Sequence, residues 1–426
     1  MRRALALLLT VVSPACGRNS APPAADPNAL TPAERAALAT QSPLPKLAAD
    51  PTNAVADDPR AAALGQMLFF DVDLAGPLLV DSERGKAGEL RKLSCHTCHA
   101  GPALDDPGKH VSIGGKPGTR NSPPVLNSAF YTWSNWGGKF DSHWALALGA
   151  LEKADVMNGT RLAIIRVVIT QYRAEYEALF GALDPALDPA LGAALIDDKR
   201  FPAAGKPGMP AWDGMAEADR TLANRVFANA GKAIAAYMRL LVARDAPFDR
   251  WIAGEDTAIS AAAKRGARLH VKHCKVCHDG PHFTDNKFHA LAAAQFGAGV
   301  PAVDLGRFED VPGYLASPFN AAGMFSDAKR DLAGLVQAPE QRGQFRTPTL
   351  RNVAVTAPYM HAGQFATLDA VMAFYNVGGG RVDGITKAAE MQRLELTPEQ
   401  LTDLVAFMQT LTSTTLPAAL LADTSR

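Results

Sequence analysis

The sequence predicts a mainly α-helical protein of two domains with long connecting loops, and three observations predict it. The pentad Cys95-His96-Thr97-Cys98-His99 recurs as Cys274-Lys275-Val276-Cys277-His278, one copy in each half of the 426-residue chain. Apolar residues recur at helical spacing near the pentads, as in Leu64, Met67 and Leu68. No long alternating pattern, of the kind a half-buried strand needs, stands out.

Each pentad reads Cys-x-x-Cys-His. In that arrangement the two thiols add to the vinyl groups of a haem, and the adjacent imidazole reaches the iron from one side. Cys95, Cys98, Cys274 and Cys277 are therefore the expected attachment points of two covalent c-type haems, with His99 and His278 as iron ligands. A pair of zinc half-sites would use the thiolates but leave both trailing histidines without a role.

Composition sets the bounds. Hydrophobic residues make up 47% and charged residues 20%, as in a globular protein. Lys+Arg and Asp+Glu both count 43, so nothing favours nucleic acid or an acidic membrane surface as a partner. Four of the five cysteines belong to the pentads, leaving Cys16.

Taken in order, residues 1–16 read as a signal peptide, with Arg2 and Arg3 ahead of the apolar run Ala4–Val12. Export to the periplasm agrees with covalent haem attachment outside the bacterial cytoplasm. Cys16 is a candidate for lipid anchoring, or is discarded with the leader. No later segment has the length of a membrane-spanning helix. Residues 17–55, rich in Ala and Pro, read as a tether or a loosely docked arm. Asp58–Phe70 is the first expected helix, with Asp58 as cap and Pro59 in the first turn. Leu162–Phe180 is a second, followed by Gly181–Gly214 as a Pro/Gly-rich surface loop. Ala216–Ala243 is a long helix joining two halves, and Ala258–His273 runs into the second pentad. Gly297–Gln344 reads as mostly loop. Thr367–Asn376 and Thr397–Leu411 are helices, the last opened by a Thr397/Gln400 capping box. The boundary near Arg244–Asp256 divides a first haem domain, 56–244, from a second, 245–416, with a tail at 417–426.

These features resemble the bacterial dihaem cytochrome c peroxidase and MauG-type superfamily. The resemblance rests on Leu68-Phe69-Phe70-Asp71, Arg120-Asn121-Ser122-Pro123-Pro124-Val125-Leu126-Asn127, Phe345-Arg346-Thr347-Pro348-Thr349-Leu350-Arg351-Asn352-Val353 and Ala357-Pro358-Tyr359-Met360-His361-Ala362-Gly363. It spans most of Ala56–Leu416. It implies two cytochrome c-like domains with a calcium ion between them, one haem that reacts with hydrogen peroxide and one that handles electrons. Trp136 matches the aromatic residue between the haems, and Asn121, Thr356 and Pro358 match calcium-ligand positions. His361 falls in a motif near the second haem, with a hydrogen-bonding role implied. Tyr375 matches the far ligand of the second haem, where electron-transferring peroxidases have Met and MauG-type enzymes Tyr. A phenolate favours ferric iron and a thioether ferrous iron, so Tyr375 implies a haem pair suited to holding oxidising equivalents. Met372 and Met360 are the alternative ligands, and a core-packing role is the alternative for Tyr375.

Three departures stand beside the match. Val156 occupies the position of the family's proton-shuttling glutamate, leaving Asp155 and Glu152 as nearby candidates for that work. Trp136-Gly137-Gly138-Lys139 replaces the usual Trp-Asp-Gly-Arg. Gly115 stands where peroxidases carry a histidine that binds the first haem at rest. His110 and His143 are read as surface or hydrogen-bonded residues, and His282 and His289 as local ones. The expected function is peroxide-dependent oxidation of a partner, either an aromatic residue of a protein or a small redox protein. The stretch from Trp144 to Glu152 points to the MauG-like branch associated with methanobactin systems. The alternatives are a conventional cytochrome c peroxidase and a dihaem electron carrier or sensor without peroxidase activity, for which Val156 and Gly137 argue.

Overall fold

The computed structural model describes residues 30–188, 200–297, 299–332 and 334–426. The leader and Cys16 lie outside the described residues. Residues 30–55 take the docked-arm alternative rather than the tether. Thr31 and Glu34 form a capping box that starts α1 (Pro32–Ala39). Leu38 of α1 is fully buried beside Phe248, Trp251 and Phe407 of the second half. The segment then crosses to the first half, where Trp144 donates to Thr52 Oγ1 at 3.0 Å and Asn53 donates to the Lys232 carbonyl at 3.0 Å. A few anchors hold this arm in place of a long apolar stripe, which is why composition left both alternatives open.

The first half holds α2 (Pro59–Phe70), α3 (Cys95–Cys98), α4 (His143–Glu152), α5 (Arg161–Gln171), α6 (Arg173–Phe180), α7 (Pro210–Asp213) and α8 (Glu217–Met238). Asp58 caps α2 through the Arg60 amide, with Pro59 in the first turn, as the sequence predicts. The single helix expected over Leu162–Phe180 breaks at Tyr172, which leaves helical geometry and whose phenol donates to Asp71 at 2.8 Å. Helices α2, α4, α5 and α8 enclose the main apolar core. A Cβ added at Gly65 of α2 would stand 1.9 Å from the Ala233 carbonyl oxygen of α8, so only glycine permits this crossing.

The second half holds α9 (Pro247–Ile252), α10 (Ala261–His273), α11 (Arg307–Ala316), α12 (Leu368–Asn376) and α13 (Pro398–Gln409). It repeats the device: a Cβ at Gly266 of α10 would meet the Asp403 carbonyl of α13 at 1.9 Å. The Thr397/Gln400 capping box of α13 is present. Strands β1 (Phe288–Ala290) and β2 (Gln344–Arg346) pair antiparallel, Phe288 opposite Arg346.

Two further expectations need correction, and the tail takes a defined place. Helix α11 lies inside the stretch read as loop, hidden because Pro312 sits within it. The insert Gly181–Gly214 is more than surface loop, since Leu183, Leu187, Phe201 and Trp212 are buried in the first core. The tail at 417–426 folds back over the first half: Tyr237 donates to the Leu420 carbonyl at 2.5 Å and Gln66 to the Ala419 carbonyl at 2.7 Å. Among the described residues no helix is long and apolar enough to cross a membrane.

Leu38→Ala should lower the unfolding free energy by about 2–5 kcal/mol, the usual loss for a fully buried leucine, in a denaturant titration. A docked arm predicts this loss; a tether predicts none.

Candidate dihaem site

The first pentad forms the one-turn helix α3 and the second a hydrogen-bonded turn after α10, and each sets its two cysteines and its histidine in one cavity wall. The His99 Nδ1 lies 2.9 Å from the Leu104 carbonyl, and His278 Nδ1 lies 3.1 Å from the Phe283 carbonyl. A carbonyl only accepts, so Nδ1 carries the proton in both rings and Nε2 keeps a free lone pair. The partner is five residues downstream each time and has positive φ, 55° at Leu104 and 52° at Phe283. Burial lowers the pKa of both histidines and favours the neutral, ligating form.

These residues fit haem. Cys95, Cys98, Cys274 and Cys277 are all unpaired. Burial pushes the Cys95 and Cys274 thiols up to about 12. A thiolate is disfavoured in such apolar surroundings, whereas an uncharged thioether is not. The first pentad opens on a cavity of about 660 Å³ and the second on one of about 220 Å³. Asn121, Pro123, Pro124, Tyr131, Asp304 and Arg346 line both, forming a shared partition.

In the second cavity, Tyr375, Met360 and Met372 all line the wall with His278. Burial pushes the Tyr375 phenol well above its ordinary range, so a phenolate there needs a bound cation to stabilise it. Trp136 lines the same wall, and its indole N–H donates to the Asn121 carbonyl at 2.8 Å. His361 stacks on Phe345 with centroids 3.7 Å apart and receives the Gln295 amide at Nε2, 2.5 Å away. Burial lowers its pKa to about 4. His289 lies in this wall too, held by Asp285 at 2.8 Å.

In the first cavity, Val156, Asp155 and Glu152 share the wall with His99. Glu152 gives both oxygens to the Arg161 guanidinium, at 3.0 and 2.6 Å. Arg161 is itself buried against Trp212, Phe227 and Phe319. Glu152 is thus committed to an ion pair, and Asp155, bonded to the half-exposed Lys153 at 2.9 Å, is the freer carboxylate. A Cβ at Gly115 would meet the Ala154 carbonyl at 2.4 Å, and one at Gly114 the Val156 carbonyl at 2.1 Å. The two loops therefore pack backbone to backbone, and no larger side chain fits at Gly115. His110 is engaged at both ring nitrogens by the Gly363 and Phe296 carbonyls, and His143, bonded to the Ser128 carbonyl, lies outside both cavity walls.

Asn121, Thr356 and Pro358 come together in the second cavity's wall. The Asn121 amide donates to the Lys109 carbonyl at 2.9 Å, which leaves its Oδ1 as a hard donor suited to calcium. Sequence reasoning missed two residues. Gln41 of the arm donates to the His278 carbonyl at 2.8 Å and accepts from His270 at 3.1 Å. Arg120 forks onto Asp304 and also holds Asp310, all at 2.7 Å, tying the two halves together beside the partition. Arg120 stands in a motif the resemblance already singled out; Gln41 carries no local signal.

The family model described as di-haem cytochrome c peroxidase matches residues 59–257. The chain is 33% identical over 379 residues to cytochrome-c peroxidase IdrP1 of Denitromonas iodatirespirans, covering 85% of each. The chain belongs to the dihaem cytochrome c peroxidase and MauG superfamily. It is also 31% identical to the methylamine utilization protein MauG of Methylorubrum extorquens, over 83% of this chain and 78% of that one. A solved MauG-like protein associated with microbial copper homeostasis shares the fold, with a TM-score of 0.60 over 89% of this chain and 98% of that one, at 24% identity. The protein is thus a dihaem peroxidase-like oxidoreductase with two haems.

The His361 shift carries a pH dependence. Its folded pKa of about 4 lies below the ordinary value of 6.5, so the unfolded chain takes up the proton first as pH falls. That part of the stability is present above pH 6.5 and is lost towards pH 4, on the order of 3 kcal/mol. Denaturant titrations across this window should show the loss in the native protein and a shallower slope in His361→Gln.

Proposed function

We propose that the protein is an exported oxidoreductase that uses hydrogen peroxide to oxidise a partner, an aromatic residue of a protein, through a haem pair coupled by Trp136. The observation that carries this reading is Tyr375, whose partly buried phenol lines the His278 cavity and, among the described residues, has no hydrogen-bond partner in the protein. The haems, when bound, supply the redox-active iron. The chain's own groups do the rest. Tyr375 offers a hard oxygen donor opposite the softer choices Met360 and Met372. The Asn121 carbonyl fixes the Trp136 indole in the wall, and Asn121 with Thr356 and Pro358 offers calcium a site beside it. Asp155 is the group nearest to Val156 that can carry a proton in the first cavity. The leader at residues 1–16 supports export, and Cys16 supports a lipid anchor.

A second reading, electron transfer or sensing without peroxide turnover, is favoured by Val156, because an alkyl side chain moves no proton. Stopped-flow absorbance of the diferric protein with hydrogen peroxide separates the two. Rapid loss of the Soret band followed by a long-lived product is expected; slow haem destruction alone would sink the peroxidase reading. Val156→Glu should raise peroxide turnover by about 10²-fold or more if the native cavity lacks a proton carrier. An unchanged rate would assign that work to Asp155 or to water. Tyr375→Met should raise the second haem's reduction potential in a spectroelectrochemical titration, and an unmoved potential would exclude Tyr375 as ligand.

A further inference from the structure

Helix α11 brings a buried tyrosine–carboxylate pair against the loop that carries Trp136. Tyr314, 2% exposed, donates its phenolic proton to Asp141 Oδ2 at 2.7 Å. Asp141 is 4% exposed, and its Oδ1 is buried with no hydrogen-bond partner. The Tyr314 ring meets Trp133 edge to face with centroids 5.3 Å apart. Trp133 stands one residue from Ser134 and two from Tyr131, both in the first cavity's wall, and three from Trp136 in the second's. An aromatic contact therefore joins the loop that contributes to both cavity walls to a phenol with a proton acceptor already in place.

We propose that Tyr314 and Asp141 form a proton-coupled redox site, reached through Trp133, that takes up one oxidising equivalent from the haem pair. The inference rests on the peroxide-dependent reading given above. Tyr314 gives one electron inward through Trp133, and its phenolic O–H bond breaks as the proton passes to Asp141 Oδ2. A neutral tyrosyl radical is left. Reduction of one hydrogen peroxide to two waters takes two electrons and two protons; Tyr314 supplies one electron, the partner the other, and solvent the protons. A further electron from the partner, with the proton returned from Asp141, restores the phenol.

The surroundings favour Tyr314 over Trp133 as the resting place. The Arg307 guanidinium lies 4.7 Å from the Trp133 ring, and a positive charge there opposes a tryptophan cation radical. Oxidised Tyr314 leaves the pair neutral, because its proton moves to a carboxylate in hydrogen-bond contact and cancels that charge. Burial, with Asp141 beside it, pushes the phenol far above its ordinary pKa, so the proton is held until the electron leaves. The site suits a protein that must hold oxidising equivalents while it waits for a large partner.

The test is freeze-quench EPR of the peroxide-treated holoprotein, grown with natural or ring-deuterated tyrosine, alongside stopped-flow absorbance. A tyrosyl signal that narrows with deuterated tyrosine is expected, falling at least tenfold in Tyr314→Phe. Asp141→Asn should lose it to the same degree, because an amide oxygen keeps the hydrogen bond but does not take the proton. That variant decides the matter if Tyr314→Phe does not fold. A tyrosyl signal that survives either substitution overturns the inference. A Soret response without any tyrosyl signal overturns it too and leaves the peroxide reading standing, whereas no Soret response overturns both.

Discussion

The structure depends first on a hydrogen bond made twice, from an imidazole Nδ1–H to a carbonyl five residues downstream. Its net worth is only about 1 kcal/mol. Its effect on chemistry is larger, because it fixes the tautomer and turns Nε2 into the cavity. Both carbonyls belong to residues with positive φ, Leu104 and Phe283. The chain accepts local strain at each site to aim an acceptor at its histidine. Gln41 and the Phe345–His361 stack brace the second site from elements remote in sequence.

Two such sites are useful together only if their relative position is fixed. The structure uses three ties for this. The arm at 30–55 is anchored in both halves, the tail at 417–426 returns from the second half onto the first, and Arg120 binds Asp304 and Asp310 across the partition. Arg120 and Asp304 are nearly buried, so removing one partner would leave an uncompensated charge. The ion pairs therefore specify the docked arrangement more than they stabilise it. Trp136, Asn121 and Tyr131 lie in or beside the partition these ties hold still.

The first cavity shows a different constraint. Gly114 and Gly115 let the 112–118 loop lie directly on the carbonyls of Ala154 and Val156. The changes at Gly115 and Val156, which look independent in the sequence, are one packing arrangement. Helix α11 fills a similar gap. A Cβ at Gly137 would stand 2.1 Å from Asp310 Oδ2, and one at Gly138 2.6 Å from Arg307 Nη1. The acid and the guanidinium beside this turn are thus supplied from another element.

The sequence alone determined the two Cys-x-x-Cys-His pentads proposed to hold the haems, the mainly helical class, and α2, α8, α10, α12 and α13 to within a few residues. Those features rest on covalent spacing, capping chemistry and helical period, all of which act over a few neighbouring residues. Only the tertiary structure decided that the arm and tail are docked, that α4 and α11 are helices, that Glu152 is committed to Arg161, and that Tyr314 meets Asp141. Each of these depends on contacts between residues far apart in the chain. Gln41 and His278 are 237 positions apart, and Tyr314 and Asp141 are 173 apart. No local pattern encodes such a pairing, because the free energy that selects it comes from burying surfaces that meet only once the chain has folded.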